Sequence, residues 1–226
     1  IVTFLLMLFE VLSTPFMAAF EVETGLPFIV FNAIVDVVLL VDFFIWFTVT
    51  AVEKDQQVVV KVRSIMRMRL QSIHFHLNVF TNLPLEIISI WYSSYALWRL
   101  NKILRMLHFG YYSMKWATVT AWSPSLIRVL YHSFLLGVIV HLFACLYFVV
   151  VRVASSDSST SFRNWDGFEE MSPSRQYIRA LFVSLSGMVG YFDVRPRHPL
   201  EHGFGIILII MGAGFFAAMI GSTQDL

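Results

Sequence analysis

The chain has 226 residues, of which 58% are hydrophobic, 16% aromatic and only 14% charged. A soluble domain carries about 25% charged residues, so these proportions exclude an ordinary water-soluble enzyme. The formal net charge of +1 likewise excludes the strongly basic field of a nucleic-acid binder.

About 20 mostly apolar residues cross the hydrocarbon core of a bilayer as a helix, and the sequence predicts six such spans at 1–20, 28–51, 73–92, 94–116, 127–153 and 202–222. The first holds Glu10 and Pro15 and lacks a basic flank, unlike a signal peptide. With Ile1 in place of an initiator methionine, the chain reads as the membrane portion of a longer polypeptide. Between the second and third spans lie Lys54, Lys61, Arg63, Arg67 and Arg69 against Glu53 and Asp55. Cytoplasmic loops collect Lys and Arg, so this loop is expected inside the cell together with both chain ends. The other reading of the loop is a lipid-binding patch.

The second and third spans carry intramembrane polar groups, Asp36 and Asp42 on one and Asn78, Asn82 and Glu86 on the other. The fourth supplies their complement: Arg99, Lys102 and Arg105 recur every third residue, and His108 continues the register. On an α-helix these positions form a spiralling stripe about 13 Å long. Charges within a span are costly and mark function; the competing reading is a basic helix lying on the membrane surface. Moving one charge through 100 mV is worth about 2.3 kcal/mol, so ~3 charges in each of four subunits supply at most roughly 28 kcal/mol. His108 is mostly neutral at pH 7 if unperturbed, and reads as the polar end of the stripe.

The fifth span contains the lone cysteine, Cys145, which reads as a small buried hydrophobe. A seventh apolar stretch, 177–189, is too short to cross and is followed by Gly190-Tyr191-Phe192-Asp193. A short apolar segment between two full spans fits a re-entrant helix covered by protein or water. At its tip, Met188-Val189-Gly190-Tyr191 suits an ion filter in which backbone carbonyls replace an ion's water shell. Asp193 reads equally as a ring of carboxylates at the outer mouth or as an exposed loop acid. In the sixth span Gly212, Gly214 and Gly221 permit close packing or a bend that opens a gate.

Histidines 74, 76, 108, 132 and 141 raise the possibility of haem ligation. His132 and His141 are nine residues apart and face opposite sides of a helix, which argues against it. No metal-ligand cluster, nucleophile triad or phosphate-binding glycine loop is present, so neither an enzyme nor a resident metal is expected.

Several motifs together resemble the hyperpolarisation-activated and cyclic-nucleotide-gated cation channels, with the related ether-à-go-go-type and plant inward-rectifying potassium channels. Phe31-Asn32, Asp36, Leu40 and Asp42 are similar to the pattern F-N-x-x-x-D-x-x-x-L-x-D, and Leu83-Pro84 with Glu86 to L-I-P-x-D/E. Arg99-Leu100-Asn101-Lys102 through Arg105 resembles R-L-N-R-x-L-R; His141 with Ala144-Cys145 resembles H-W-x-A-C; Gln176-Tyr177 with Ala180-Leu181-Phe182 resembles Q-Y-x-x-A-L-F.

The resemblance implies an all-α membrane protein with a four-span voltage-sensor-like bundle over 1–116 and a pore domain over 117–226, the latter with a re-entrant loop. It implies a homo- or heterotetramer, not domain-swapped because 115–125 leaves little linker, and a cytoplasmic cyclic-nucleotide domain outside this chain. It further implies a pore for K+ and/or Na+ at the plasma or ciliary membrane, surrounded by lipid and gated by voltage or nucleotide. In these terms Arg99, Lys102, Arg105 and His108 are sensor charges and Asp36, Asp42, Asn78 and Glu86 their partners. Residues 188–193 form the filter and outer mouth.

Three departures stand out. Asn78 replaces an aspartate, the charged helix has few cations, and Phe192 replaces the second glycine of G-Y-G. A bulky residue avoids the positive φ that glycine commonly adopts there, which leaves open a filter that is wider, reshaped or shut. A modulatory subunit that needs a conducting homologue is the alternative function.

Overall fold

A computed structural model describes residues 2–20, 25–48, 52–54, 57–59, 62–91, 95–110, 123–157, 171–192, 196 and 198–224. The chain is largely helical and divides into two compact units, residues 1–109 and 110–226. Among the described residues four helices are long and apolar enough to cross a membrane. Six were expected, and the two that differ are the third and fourth.

The first unit opens with α1 (Val2–Phe20), which buries Met7, Glu10, Val11, Thr14 and Met17. That spacing of three and four places them on one stripe, so Glu10 points inward. Helix α2 (Leu26–Thr48) buries only Asn32, Val35 and Leu39, and its remaining apolar face is exposed, as suits a lipid-facing helix. A two-stranded antiparallel ribbon, β1 (Val52–Lys54) and β2 (Gln57–Val59), pairs Val52 with Val59. It leads to α3 (Val62–Leu70), whose Arg69 guanidinium lies 4.3 Å from the Trp46 ring centroid.

Helix α4 (Ile73–Asn82) starts at Ser72, whose hydroxyl accepts from the His74 N–H, and it stops well short of the predicted 73–92. The cause is Pro84. The residue before a proline is pushed out of the helical region, and Leu83 is extended, at φ −64° and ψ 126°. The chain resumes as a 3₁₀ helix, Leu85–Ile90. The expected fourth span is also interrupted: a single turn, α5 (Tyr95–Trp98), is followed by a 3₁₀ helix over Leu100–His108. Residues 111–116 of that span, with most of the 115–125 linker, lie outside the described residues.

The second unit holds α6 (Pro124–Asp157), α7 (Pro173–Met188) and α8 (Pro199–Gln224). Each begins with proline, which suits the first helical position because its missing N–H would have no partner there. Val140, Ala144, Tyr147 and Val151 of α6 meet Ala180, Val183 and Met188 of α7 and Phe204 and Leu208 of α8 in one core. His141 Nδ1 and the Tyr177 hydroxyl share a 2.6 Å hydrogen bond that ties α6 to α7. At the head of α8 the Glu201 carboxylate accepts from the His198 N–H at 3.0 Å, which holds the first turn in place.

Candidate functional site

The 3₁₀ geometry changes the charged stripe. With 3.0 residues per turn, positions three apart eclipse instead of spiralling, so Arg99, Lys102, Arg105 and His108 form a straight column. At about 2.0 Å rise per residue the column is about 18 Å long, longer than the 13 Å an α-helix gives. All four side chains are buried.

Three carboxylates receive the cations. Arg99 Nη1 donates to Asp36 at 2.8 Å and to Glu86 at 3.0 Å, while Nη2 donates to Glu10 at 3.0 Å. Lys102 Nζ bonds Asp36 at 2.8 Å. Arg105 pairs with Glu10, and its Nη2 reaches Asp36 at 3.3 Å. Glu10 is fully buried and Asp36 and Glu86 are 19% and 15% exposed. Glu10, Asp36 and Glu86 therefore balance Arg99, Lys102 and Arg105 charge for charge, and the cluster has no net charge. Burying unpaired charges would cost several kcal/mol per ion, so this balance permits a cation column inside an apolar bundle.

The break at Pro84 also contributes. Proline has no N–H to donate to the Phe80 carbonyl four residues earlier, and Asn101 Nδ2 donates there at 3.0 Å and to the Leu83 carbonyl at 3.1 Å. Arg105 Nη2 donates to the Thr81 carbonyl and to Asn82 Oδ1, each at 3.2 Å. The open C-terminus of α4 is thus capped by side chains of the charged helix, the end at which a helix favours cations.

Two sequence-predicted partners stand apart from these contacts. Asp42 accepts a 3.4 Å hydrogen bond from Thr3 Oγ1. It lies six residues beyond Asp36, well over a helical turn along α2. Asn78 Nδ2 donates to the His74 carbonyl in its own helix, so its side chain is spent on the backbone. Asn82, offered by the sequence beside Asn78, does take part, and Glu10 joins it unpredicted. Glu10 was legible from its place between Met7 and Thr14 on the inward stripe of α1.

In the second unit α7 ends in a Schellman cap. The Tyr191 N–H bonds the Ser186 carbonyl at 2.9 Å and the Gly190 N–H bonds the Gly187 carbonyl at 3.0 Å, with Gly190 at φ 89°. This is the left-handed position where glycine carries no Cβ penalty. The amides of residues 189–191 thus turn back into the helix, and the negative end of its dipole is directed at this segment. Val189 and Tyr191 side chains are exposed. Asp193 lies outside the described residues.

Phe192 turns the other way. A Cβ on Gly187 would come within 3.0 Å of the Phe192 ring, and one on Gly205 within 3.3 Å, so the ring occupies a notch that two glycines leave between α7 and α8. At Gly212 a Cβ would overlap the Met188 backbone; close packing accounts for this glycine without a bend. A Cβ at Gly214 or Gly221 would meet nothing within 4 Å.

The fold and these sites describe a helical membrane module with a buried, neutralised cation column in one unit and a short capped helix between two long ones in the other. Among the described residues no three His, Cys, Asp or Glu side chains gather as a metal centre. No family model matches the chain. It is 24% identical to the voltage-gated inwardly rectifying potassium channel KCNH2 of Sus scrofa, across 97% of this chain and 21% of that protein. It is 23% identical to KCNH2 of Cavia porcellus, across 97% of this chain and 19% of that protein. It is also 24% identical to a cyclic nucleotide-gated cation channel subunit of Drosophila melanogaster, across 73% of this chain and 27% of that protein. The chain spans only about a fifth of the length of the KCNH2 relatives. It is a distant relative of the voltage-gated and cyclic-nucleotide-gated cation channels.

Proposed function

We propose that the chain is the transmembrane module of a pore-forming subunit of a tetrameric cation channel, passing K+ alone or K+ and Na+. The observation that carries this reading is the closed cluster of Arg99, Lys102 and Arg105 with Glu10, Asp36 and Glu86. A fold has little reason to bury six charges unless their movement or register is used. The capped segment Val189-Gly190-Tyr191, at the end of a helix too short to span, supplies the second part, with α8 as the pore-lining helix. Gly214 and Gly221, where an added Cβ would meet nothing within 4 Å, are the hinge candidates on α8.

In this reading voltage acts on the column and a cyclic nucleotide acts through a cytoplasmic domain beyond this chain. Both chain ends face the cytoplasm, in the plasma or ciliary membrane. A displacement of one column step, about 6 Å, would bring His108 to the place of Arg105 and offer the carboxylates a neutral ring in exchange for a cation. A shallow voltage dependence follows.

Phe192 supports a second reading. Its ring is seated behind the segment that would line the pore, which suits a subunit that shapes a mixed tetramer without conducting by itself. Expression of the full-length polypeptide alone, with recording from excised patches under opposed Na+ and K+ gradients, separates the two. A cation current supports the pore-forming reading. Surface protein without current, restored by a conducting homologue, supports the second.

A further inference from the structure

Residues three apart eclipse in a 3₁₀ helix, so the segment Leu100–His108 presents three edges. Lys102, Arg105 and His108 form one, Leu100, Ile103 and Met106 the second, and Asn101, Leu104 and Leu107 the third. Asn101 is therefore the only polar side chain on its edge. It is buried, and its amide donates to the carbonyls of Phe80 and Leu83 at 3.0 and 3.1 Å. Both partners only accept, so the nitrogen of the amide is the atom that faces them. Leu104 and Leu107 have no donor to offer in its place.

We propose that Asn101 is a positioning residue, a neutral pin that fixes the register of the charged column against the broken end of α4; this rests on the reading of the column as a voltage sensor. One three-residue step of a 3₁₀ helix advances about 6 Å, and four residues of an α-helix also advance about 6 Å. Helices α1 and α2 carry polar groups at that spacing. Four residues after Glu10, α1 buries Thr14, and four residues before Asp36, α2 buries Asn32, each on the same face as its acid. The two helices run in opposite directions, with Thr3 bonded to Asp42 and Phe9 packed on Phe31, so Thr14 and Asn32 lie toward the same end of the bundle. The column points Arg99 toward that end, since Phe109 at its other end packs on Phe4.

A shift of one step thus carries Arg99 to the level of Thr14 and Asn32, while Lys102 and Arg105 each move up one place and stay beside the acids. The charge cluster tolerates both registers. Asn101 does not, because the same step brings Leu104 to the Phe80 and Leu83 carbonyls and strips both of their side-chain donor. With both chain ends in the cytoplasm this step is outward, so depolarisation drives it through the cations and the pin opposes it. The amide carries no charge, so its opposition is the same at every voltage.

The test is voltage-clamp fluorometry of the full-length polypeptide, labelled from outside at Trp91→Cys, an exposed position that follows the 3₁₀ helix Leu85–Ile90. The signal needs no ionic current, so it serves a conducting and a non-conducting subunit alike. Asn101→Leu removes the donor at similar size, and the equilibrium at a fixed voltage should move at least about 10-fold toward the displaced register. The half-point then shifts to more negative voltage with the slope unchanged, which loss of a sensor charge would not produce. Leu104→Asn offers the displaced register the same two bonds and should shift the half-point in the same direction. Leu104 is 36% exposed, so this variant decides the matter if Asn101→Leu does not reach the surface. A voltage-driven signal in the labelled parent whose half-point moves in neither variant, or moves to more positive voltage, would overturn the pin and leave the sensor reading standing. No voltage-driven signal in the labelled parent would overturn the sensor reading and the pin with it.

Discussion

Replacing Glu10 by glutamine tests the charge cluster at its most buried point. Glu10 is fully buried and bonds both Arg99 and Arg105, so Glu10→Gln leaves three cations facing two carboxylates with no water to compensate. Breaking a buried pair by removing one partner costs about 3–5 kcal/mol, most of it the penalty of the stranded charge. Asp42→Asn, which disturbs a 3.4 Å hydrogen bond from Thr3, should cost no more than about 1 kcal/mol. The assay is unfolding of the full-length polypeptide in detergent, followed by circular dichroism, with a double-mutant cycle. Glu10→Gln combined with Arg105→Gln restores neutrality, so the cycle should show a coupling of about 1–3 kcal/mol. Charge balance is refuted as the basis of the cluster if Glu10→Gln destabilises no more than Asp42→Asn, or if the double mutant is simply the sum of the singles.

Two further substitutions probe the second unit. Gly212→Ala forces a methyl into the Met188 backbone, which cannot move aside as a side chain could; surface expression should fall sharply, whereas Gly214→Ala, with open space around it, should leave the chain folded. Tyr177→Phe removes the 2.6 Å bond to His141 that ties α6 to α7, so the unfolding assay should register a loss of about 1 kcal/mol.

Much of this architecture was legible because an uninterrupted hydrophobic run of about 20 residues rarely serves any purpose except crossing a bilayer. The four long helices follow directly from such runs. The third and fourth spans were less legible for opposite reasons. Pro84 is an obvious helix breaker, but apolar residues on both sides of it mask the interruption when only hydropathy is weighed. In the charged segment a spacing of three fits both an α-helix and a 3₁₀ helix, and the sequence alone does not choose between a spiral and a straight column. Tertiary contacts decide it: a straight column lets Arg99, Lys102 and Arg105 all reach Asp36.

The acidic partners show the same limit. Asp36 and Glu86 were identifiable as intramembrane acids, but so was Asp42, and residue type does not tell which depth of the bundle each occupies. Asn78 and Asn82 are one helical turn apart on α4 and both donate to a backbone carbonyl of that helix, but Asn82 also accepts from Arg105, a difference that residue type does not disclose. Phe192 could be seen to break the G-Y-G pattern. The notch that receives it could not, because Gly187 and Gly205 lie 18 positions apart and meet only in the fold.

The most direct test of the central claim is the permeability ratio of K+ to Na+, taken from reversal potentials of the full-length polypeptide and of its Val189→Ala variant. The Val189 side chain is 66% exposed, so folding should be spared. If residues 189–191 line the ion path, the ratio should shift several-fold while current persists. An unchanged ratio in a variant that still conducts would place the ion path elsewhere and contradict the assignment of the filter.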